Sequence, residues 1–105
     1  MIIEYNSENP VVLGETPVLL DFYATWCGPC KVFGNTLEEF SKLHPEWTIY
    51  KINVDEDNTI TEGWNVQSLP TLICACQENE WSEEIWRHVG LMTLKQLEDK
   101  IYGSV

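Results

Sequence analysis

An apolar run that stops at a pair of cysteines constrains this 105-residue chain more than any other feature. Val18-Leu19-Leu20-Asp21-Phe22-Tyr23 is almost continuously hydrophobic. A run of that length reads as a strand buried on both faces, as in a central parallel sheet. Trp26-Cys27-Gly28-Pro29-Cys30 follows after only Ala24 and Thr25. Two thiols three positions apart can share a disulfide within one helical turn. Where a strand ends and a helix begins, such a pair becomes a switchable redox centre. A bare Cys-x-x-Cys also reads as half of a zinc site or as a static disulfide. The strand in front and the tryptophan beside it favour the redox reading.

The length suits one compact domain over residues 1–105. Hydrophobic residues make up 44% of the chain, so a globular core is expected rather than disorder. Six basic residues against seventeen acidic ones give a formal net charge of -11. That charge argues against nucleic acid and against anionic membrane surfaces as partners. Met1-Ile2-Ile3-Glu4-Tyr5 has neither the basic start nor the long apolar stretch of a signal peptide, and no run approaches a membrane span. A reducing cytoplasm is therefore the expected location. There a cysteine pair is more often catalytic or metal-binding than structural.

Ile2 to Tyr5 reads as a short edge strand, and Asn6 to Pro17 as a loop with room for one helical turn. Val18 to Ala24 is the buried strand. From Cys30 to Leu43 the spacing is helical, with Phe33, Leu37 and Phe40 on one face, and His44-Pro45 ends it. Trp47 to Val54 reads as a second strand. Asp57 to Trp64 reads as a short helix, with Asn65 as a left-handed terminator. Thr71 to Cys76 is a further apolar strand after Leu69-Pro70. Gln77 to Glu84 reads as an acidic turn, and Ile85 to Val89 as the returning strand. Thr93-x-x-Gln96 is a capping-box pattern that opens a last helix, with Leu94, Leu97 and Ile101 on one face. This order predicts an α/β fold: a mixed four- to five-stranded sheet, parallel in one half and antiparallel in the other, with helices on both faces.

Four stretches carry a resemblance to the thioredoxin family: Asp21 to Lys31, Lys51-Ile52-Asn53-Val54-Asp55, Leu69-Pro70-Thr71-Leu72, and Val89-Gly90. The likeness covers nearly the whole chain. It is weakest before Pro17 and between Cys74 and Arg87. It implies the thioredoxin fold and a protein-disulfide reductase that works by dithiol–disulfide exchange without a bound cofactor or metal. In that scheme Cys27 is the nucleophile, favoured as a thiolate by the free amides and positive dipole of a helix start. Cys30, one turn deeper, resolves the mixed disulfide and leaves a Cys27–Cys30 disulfide. Gly28 and Pro29 add no positive charge, which marks a reducing couple. The resemblance further implies that buried Asp21 accepts the Cys30 proton and that Lys51 lies beside it. Burial itself raises a carboxyl pKa. Pro70 resembles the family's cis-proline. With Trp26, Gly28, Pro29, Leu69, Val89 and Gly90 it would form a shallow rim that reads protein disulfides broadly. A monomer is expected, recharged by an NADPH-dependent thioredoxin reductase.

Several residues depart from the family pattern. Asn35 stands where many relatives have a helix-kinking proline, so Gly34-Asn35 is expected to kink or weaken the helix in its own way. Cys74 and Cys76 share one strand face and read first as small hydrophobes, then as regulatory or partner-linked thiols. The turn from Gln77 to Glu84 looks longer than the family's hairpin, with Trp81 and Trp86 placed to pack across it. The family's first helix is expected to be missing. His44 and His88 read as isolated helix-end and strand-surface residues. The competing functions are a binding module that docks a larger protein through the acidic hairpin, and a metal-binding domain using all four cysteines.

Overall fold

Near-continuous burial of three central strands sets the architecture of the computed structural model, which describes residues 1–103. The strands are β1 (Ile2–Glu4), β2 (Val18–Tyr23), β3 (Ile49–Asn53), β4 (Thr71–Glu78) and β5 (Trp81–Val89). The helices are α1 (Gly28–Leu43), α2 (Asn58–Gly63) and α3 (Leu94–Tyr102). One sheet has the order β1-β3-β2-β4-β5. β1, β3 and β2 run parallel, and β4 and β5 close the sheet antiparallel. This is the mixed α/β sheet expected from the order of elements.

β2 sits at the centre and is buried on both faces. Its odd and even residues serve two cores. Leu19 joins Ile49, Leu72 and Cys74 beneath Phe33, Leu37 and Phe40 of α1 and Leu97 of α3. Leu20 and Phe22 join Tyr50, Ile52 and Ile73 on the opposite face, beneath Ile60 and Trp64 from α2 and its end. Each such fully buried large side chain contributes about 1.5–3 kcal/mol over an exposed one.

The helix ends follow their local chemistry. Asp57 caps α2 by accepting from Thr59 and Ile60 N–H, and Asn65 takes the left-handed conformation at φ 55°. Thr93 and Gln96 form the capping box of α3. His44 caps α1 and is not isolated. Its Nε2 lies 2.7 Å from Glu98 Oε2 and its Nδ1 3.2 Å from the Tyr102 hydroxyl, tying α1 to α3. His88 Nε2 lies 2.9 Å from the Leu91 carbonyl oxygen.

Four expectations need correction. First, Gln77 to Glu84 is not a turn. β4 and β5 pair out to Glu78 opposite Trp81, leaving only Asn79 and Glu80 between them, with Asn79 at φ 59°. The backbone there is laddered while its carboxylates point to water, so no apolar pattern marks the strand. Second, Trp81 and Trp86 stand on one strand rather than opposite each other. Trp86 packs against the α1–α3 core, while Trp81 is 76% exposed. Third, α1 is not interrupted at Gly34 and Asn35: it is one helix from Gly28 to Leu43, since without a proline ring Asn35 keeps its N–H for the ladder. Fourth, Asn6 to Pro17 holds no helical turn. Asn6 Oδ1 accepts from Glu8 and Asn9 N–H, and the segment then runs back to β4, where Gln77 N–H donates to Gly14 at 2.8 Å.

Leu97→Ala should lower the urea unfolding free energy by about 2–5 kcal/mol with little change in m. Trp81→Ala, at an exposed position, should change it by less than about 0.5 kcal/mol.

Candidate active site

The end of β2 delivers the chain through Ala24, Thr25 and Trp26 to Cys27, which is the N-cap of α1. An N-cap residue sits where the first helical N–H groups have no intrahelical partner. Here the cysteine sulfur fills that role: Cys27 Sγ accepts from Cys30 N–H at 3.2 Å. Pro29 occupies the first turn, where its missing N–H costs nothing. Cys27 and Cys30 are joined in a disulfide, with Cα atoms 5.3 Å apart. Both are largely buried, at 7% and 5% exposure, among Ala24, Tyr23, Val54 and Leu69.

The expected rim residues surround the pair in different ways. Gly28 and Pro29 are exposed. Trp26 is 71% exposed, and its indole Nε1–H donates to Asp55 Oδ2 at 2.8 Å. The Leu69–Pro70 bond is cis. Gly90, at φ 96°, donates its N–H to the Pro70 carbonyl at 2.8 Å, which ties the proline loop to the end of β5. Val89 pairs with Thr71 and is exposed. A groove of about 300 Å³ runs beside Cys27, lined by Trp26, Val54, Thr61, Val66 and Leu69.

Asp21 and Lys51 face each other across β2 and β3. Asp21 is 1% exposed, and its Oδ1 has no hydrogen-bond partner among the described residues. Burial pushes this carboxyl up from an ordinary 3.8 to about 7; Lys51 pulls it down and Glu4 adds to the rise. Lys51 and Cys30 line one cavity of about 300 Å³ with Tyr23, Lys31, Gly34 and Glu38.

Cys74 and Cys76 are free thiols on β4. Burial, with Cys76 adding to it, pushes Cys74 up to about 11, so it stays protonated at neutral pH. Among the described residues, no three His, Cys, Asp or Glu side chains come together as a metal site.

Sequence reasoning missed Asp55 as the anchor of Trp26, the groove residues Thr61 and Val66, and the pair Glu4 and Tyr23 described below. Asp55 had a signal, since it lies within the Lys51-to-Asp55 stretch. The others depend on register and on loop course.

A paired-cysteine site at the N-cap of a helix, on a mixed sheet closed by a proline loop, defines a thioredoxin-like α/β protein. The comparisons with known proteins agree. The thioredoxin family model matches residues 3–102. A thioredoxin of Alicyclobacillus acidocaldarius is 46% identical over 63 residues, 59% of this chain and 60% of that one. The chloroplastic M-type thioredoxin of Zea mays is 33% identical over 102 residues, 96% of this chain and 60% of that one. The solved thioredoxin of Trichomonas vaginalis superposes with a TM-score of 0.79 at 26% identity, covering 96% of this chain and 95% of that one. This chain belongs to the thioredoxin family. It spans about 60% of the length of the first two of these relatives.

The buried carboxyl has a cost that depends on pH. Below about pH 4 Asp21 is protonated in both folded and unfolded chains. Between about 4 and 7 the unfolded chain loses the proton while the folded chain keeps it, so stability falls as pH rises. Asp21→Asn should therefore stabilise the fold at pH 8 by on the order of 2–4 kcal/mol, and the gain should vanish near pH 4. Denaturant unfolding of both proteins at the two pH values checks this.

Proposed function

We propose that this chain is a thiol–disulfide oxidoreductase that reduces disulfides in other proteins. The observation that carries the reading is the Cys27 sulfur at the N-cap of α1, bonded to Cys30 one turn on and accepting that residue's N–H. When the disulfide is reduced, the same N–H and the positive end of α1 favour a thiolate at Cys27 over one at Cys30.

The cycle starts from the dithiol. The Cys27 thiolate attacks one sulfur of a substrate disulfide. The substrate S–S bond breaks, and its electron pair leaves on the other sulfur, which takes up a proton. Cys30 then gives its proton to the Asp21 carboxylate, and Lys51 balances the charge beside that acceptor. The Cys30 sulfur attacks Cys27, the mixed disulfide breaks, and the second substrate thiolate departs. Two electrons have passed to the substrate, and the Cys27–Cys30 disulfide remains. An acceptor near 7 suits this transfer, because it is neither permanently charged nor permanently protonated at neutral pH.

Substrate docks on the rim made by Trp26, Gly28, Pro29, Leu69, Pro70, Val89 and Gly90, and along the groove beside Cys27. The rim is shallow, which suits many protein disulfides rather than one. Family likeness supports an NADPH-dependent thioredoxin reductase as the source of electrons. A formal net charge of -11 supports a monomer, through repulsion between copies. The cytoplasm is the proposed location; no helix among the described residues is long and apolar enough to cross a membrane.

Cys27→Ser should reduce insulin disulfides no faster than the uncatalysed reaction. Cys30→Ser should still attack and then accumulate a covalent adduct, visible on a non-reducing gel. Sustained turnover by Cys27→Ser would contradict the scheme. Docking through the acidic hairpin without redox chemistry, by contrast, requires neither cysteine.

A further inference from the structure

Three strands bring one row of charges together on the α1 face of the sheet. Glu4 of β1 stands beside Lys51 of β3, and Lys51 stands beside Asp21 of β2. Tyr23 lies two residues beyond Asp21, so both side chains leave β2 on the same face. The Tyr23 side chain then crosses the row. Its hydroxyl donates to Glu4 Oε2 at 2.6 Å, two strands away. Lys51 Nζ lies over its ring, 4.6 Å from the centroid. α1 comes up to the ammonium at Gly34, where an added Cβ would sit 3.7 Å from Lys51 Nζ, an ordinary contact.

Lys51 makes no ion pair with Asp21 among the described residues, and Asp21 Oδ1 stays without a partner. Opposite charges on neighbouring strands attract, while the cost of stripping water from the ammonium opposes full closure onto the buried carboxylate. The Tyr23 ring face beneath the ammonium adds an attraction that favours the open position.

We propose that Tyr23, anchored by its hydroxyl on Glu4, is a positioning residue that holds the Lys51 ammonium over its ring, beside Asp21 rather than on it. The inference rests on the proposed role of Asp21 as proton acceptor for Cys30. Its consequence is chemical. A lysine closed onto Asp21 would stabilise the carboxylate and make it a weaker acceptor for the Cys30 proton. Held over the ring, the lysine still offsets the charge that arrives with ionisation, but leaves the carboxyl with its affinity for a proton. The charged groups that act on Asp21 are Lys51 from β3 and Glu4 from β1, with the Tyr23 hydroxyl on its own strand; α1 brings Cys30, Lys31 and Glu38 to the cavity that Lys51 and Tyr23 line. On the β4 side its neighbour is the uncharged Leu72.

The Asp21 carboxyl can be titrated by carbon-13 NMR in the intact, oxidised protein, with Asp21→Asn assigning the signal. Tyr23→Leu, which removes ring and anchor together, should lower the titration midpoint by about one unit or more. Glu4→Gln, a change at an exposed residue that leaves the core untouched, should lower it by a smaller amount. In a Lys51→Met background both shifts should shrink to less than half, because there is no lysine left to close on Asp21. Shifts of unchanged size in that background would mean that water entry or the charge of Glu4 acts directly, and would overturn the proposal. So would a midpoint unmoved by Glu4→Gln. The titration needs no turnover, so an inactive protein with the expected shifts would defeat the proposed function and leave the lysine clamp standing.

Discussion

Cys27 Sγ accepts the N–H of Cys30, and the chemistry of the site depends on that contact. It exists because β2 ends where α1 begins, and the connection places a sulfur where a helix start needs an acceptor. The buried run of β2 fixes the strand, Pro29 starts the helix, and Phe33, Leu37 and Phe40 hold α1 against the sheet. The contact therefore inherits the rigidity of the α1 core. The proposed asymmetry between the two thiols follows from it, since only Cys27 sits outside the helix and faces its free amides.

The second constraint is a charge where the core prefers none. Asp21 lies in the central strand, and its burial works against the fold at neutral pH. In the proposed cycle that cost is matched by a use, as acceptor of the Cys30 proton. In the row from Glu4 through Lys51 to Asp21, Lys51 offsets part of that cost, Glu4 adds to it, and Tyr23 lies across the row. Stability and exchange chemistry thus meet in the same side chains.

Elements with a one-sided or fully apolar pattern were legible in the sequence. β2, α1 and the first half of β4 follow directly from Val18 to Tyr23, from the spacing of Phe33, Leu37 and Phe40, and from Thr71 to Ala75. The start of β5 was not, because Trp81 to Ile85 is exposed and its charged side chains resemble a turn. The unbroken course of α1 past Asn35 was also hidden, since a missing proline does not say what replaces its effect. At the site, the Cys27–Cys30 pair was evident from the motif and its setting, and the burial of Asp21 from its place in an apolar strand. The tie from Tyr23 to Glu4 was not readable, because it needs β1 beside β3 in a particular register, and a one-residue slip would turn Glu4 to the other face.

The central claim is that this site runs toward reduction: a helix-start thiolate with no added positive charge from Gly28 or Pro29. Equilibration of the Cys27–Cys30 couple in glutathione buffers of graded ratio, read by the fraction of disulfide, measures it most directly. The account predicts a couple more reducing than glutathione, with the disulfide persisting when reduced glutathione is in large excess. A couple as oxidising as glutathione or more so would contradict it.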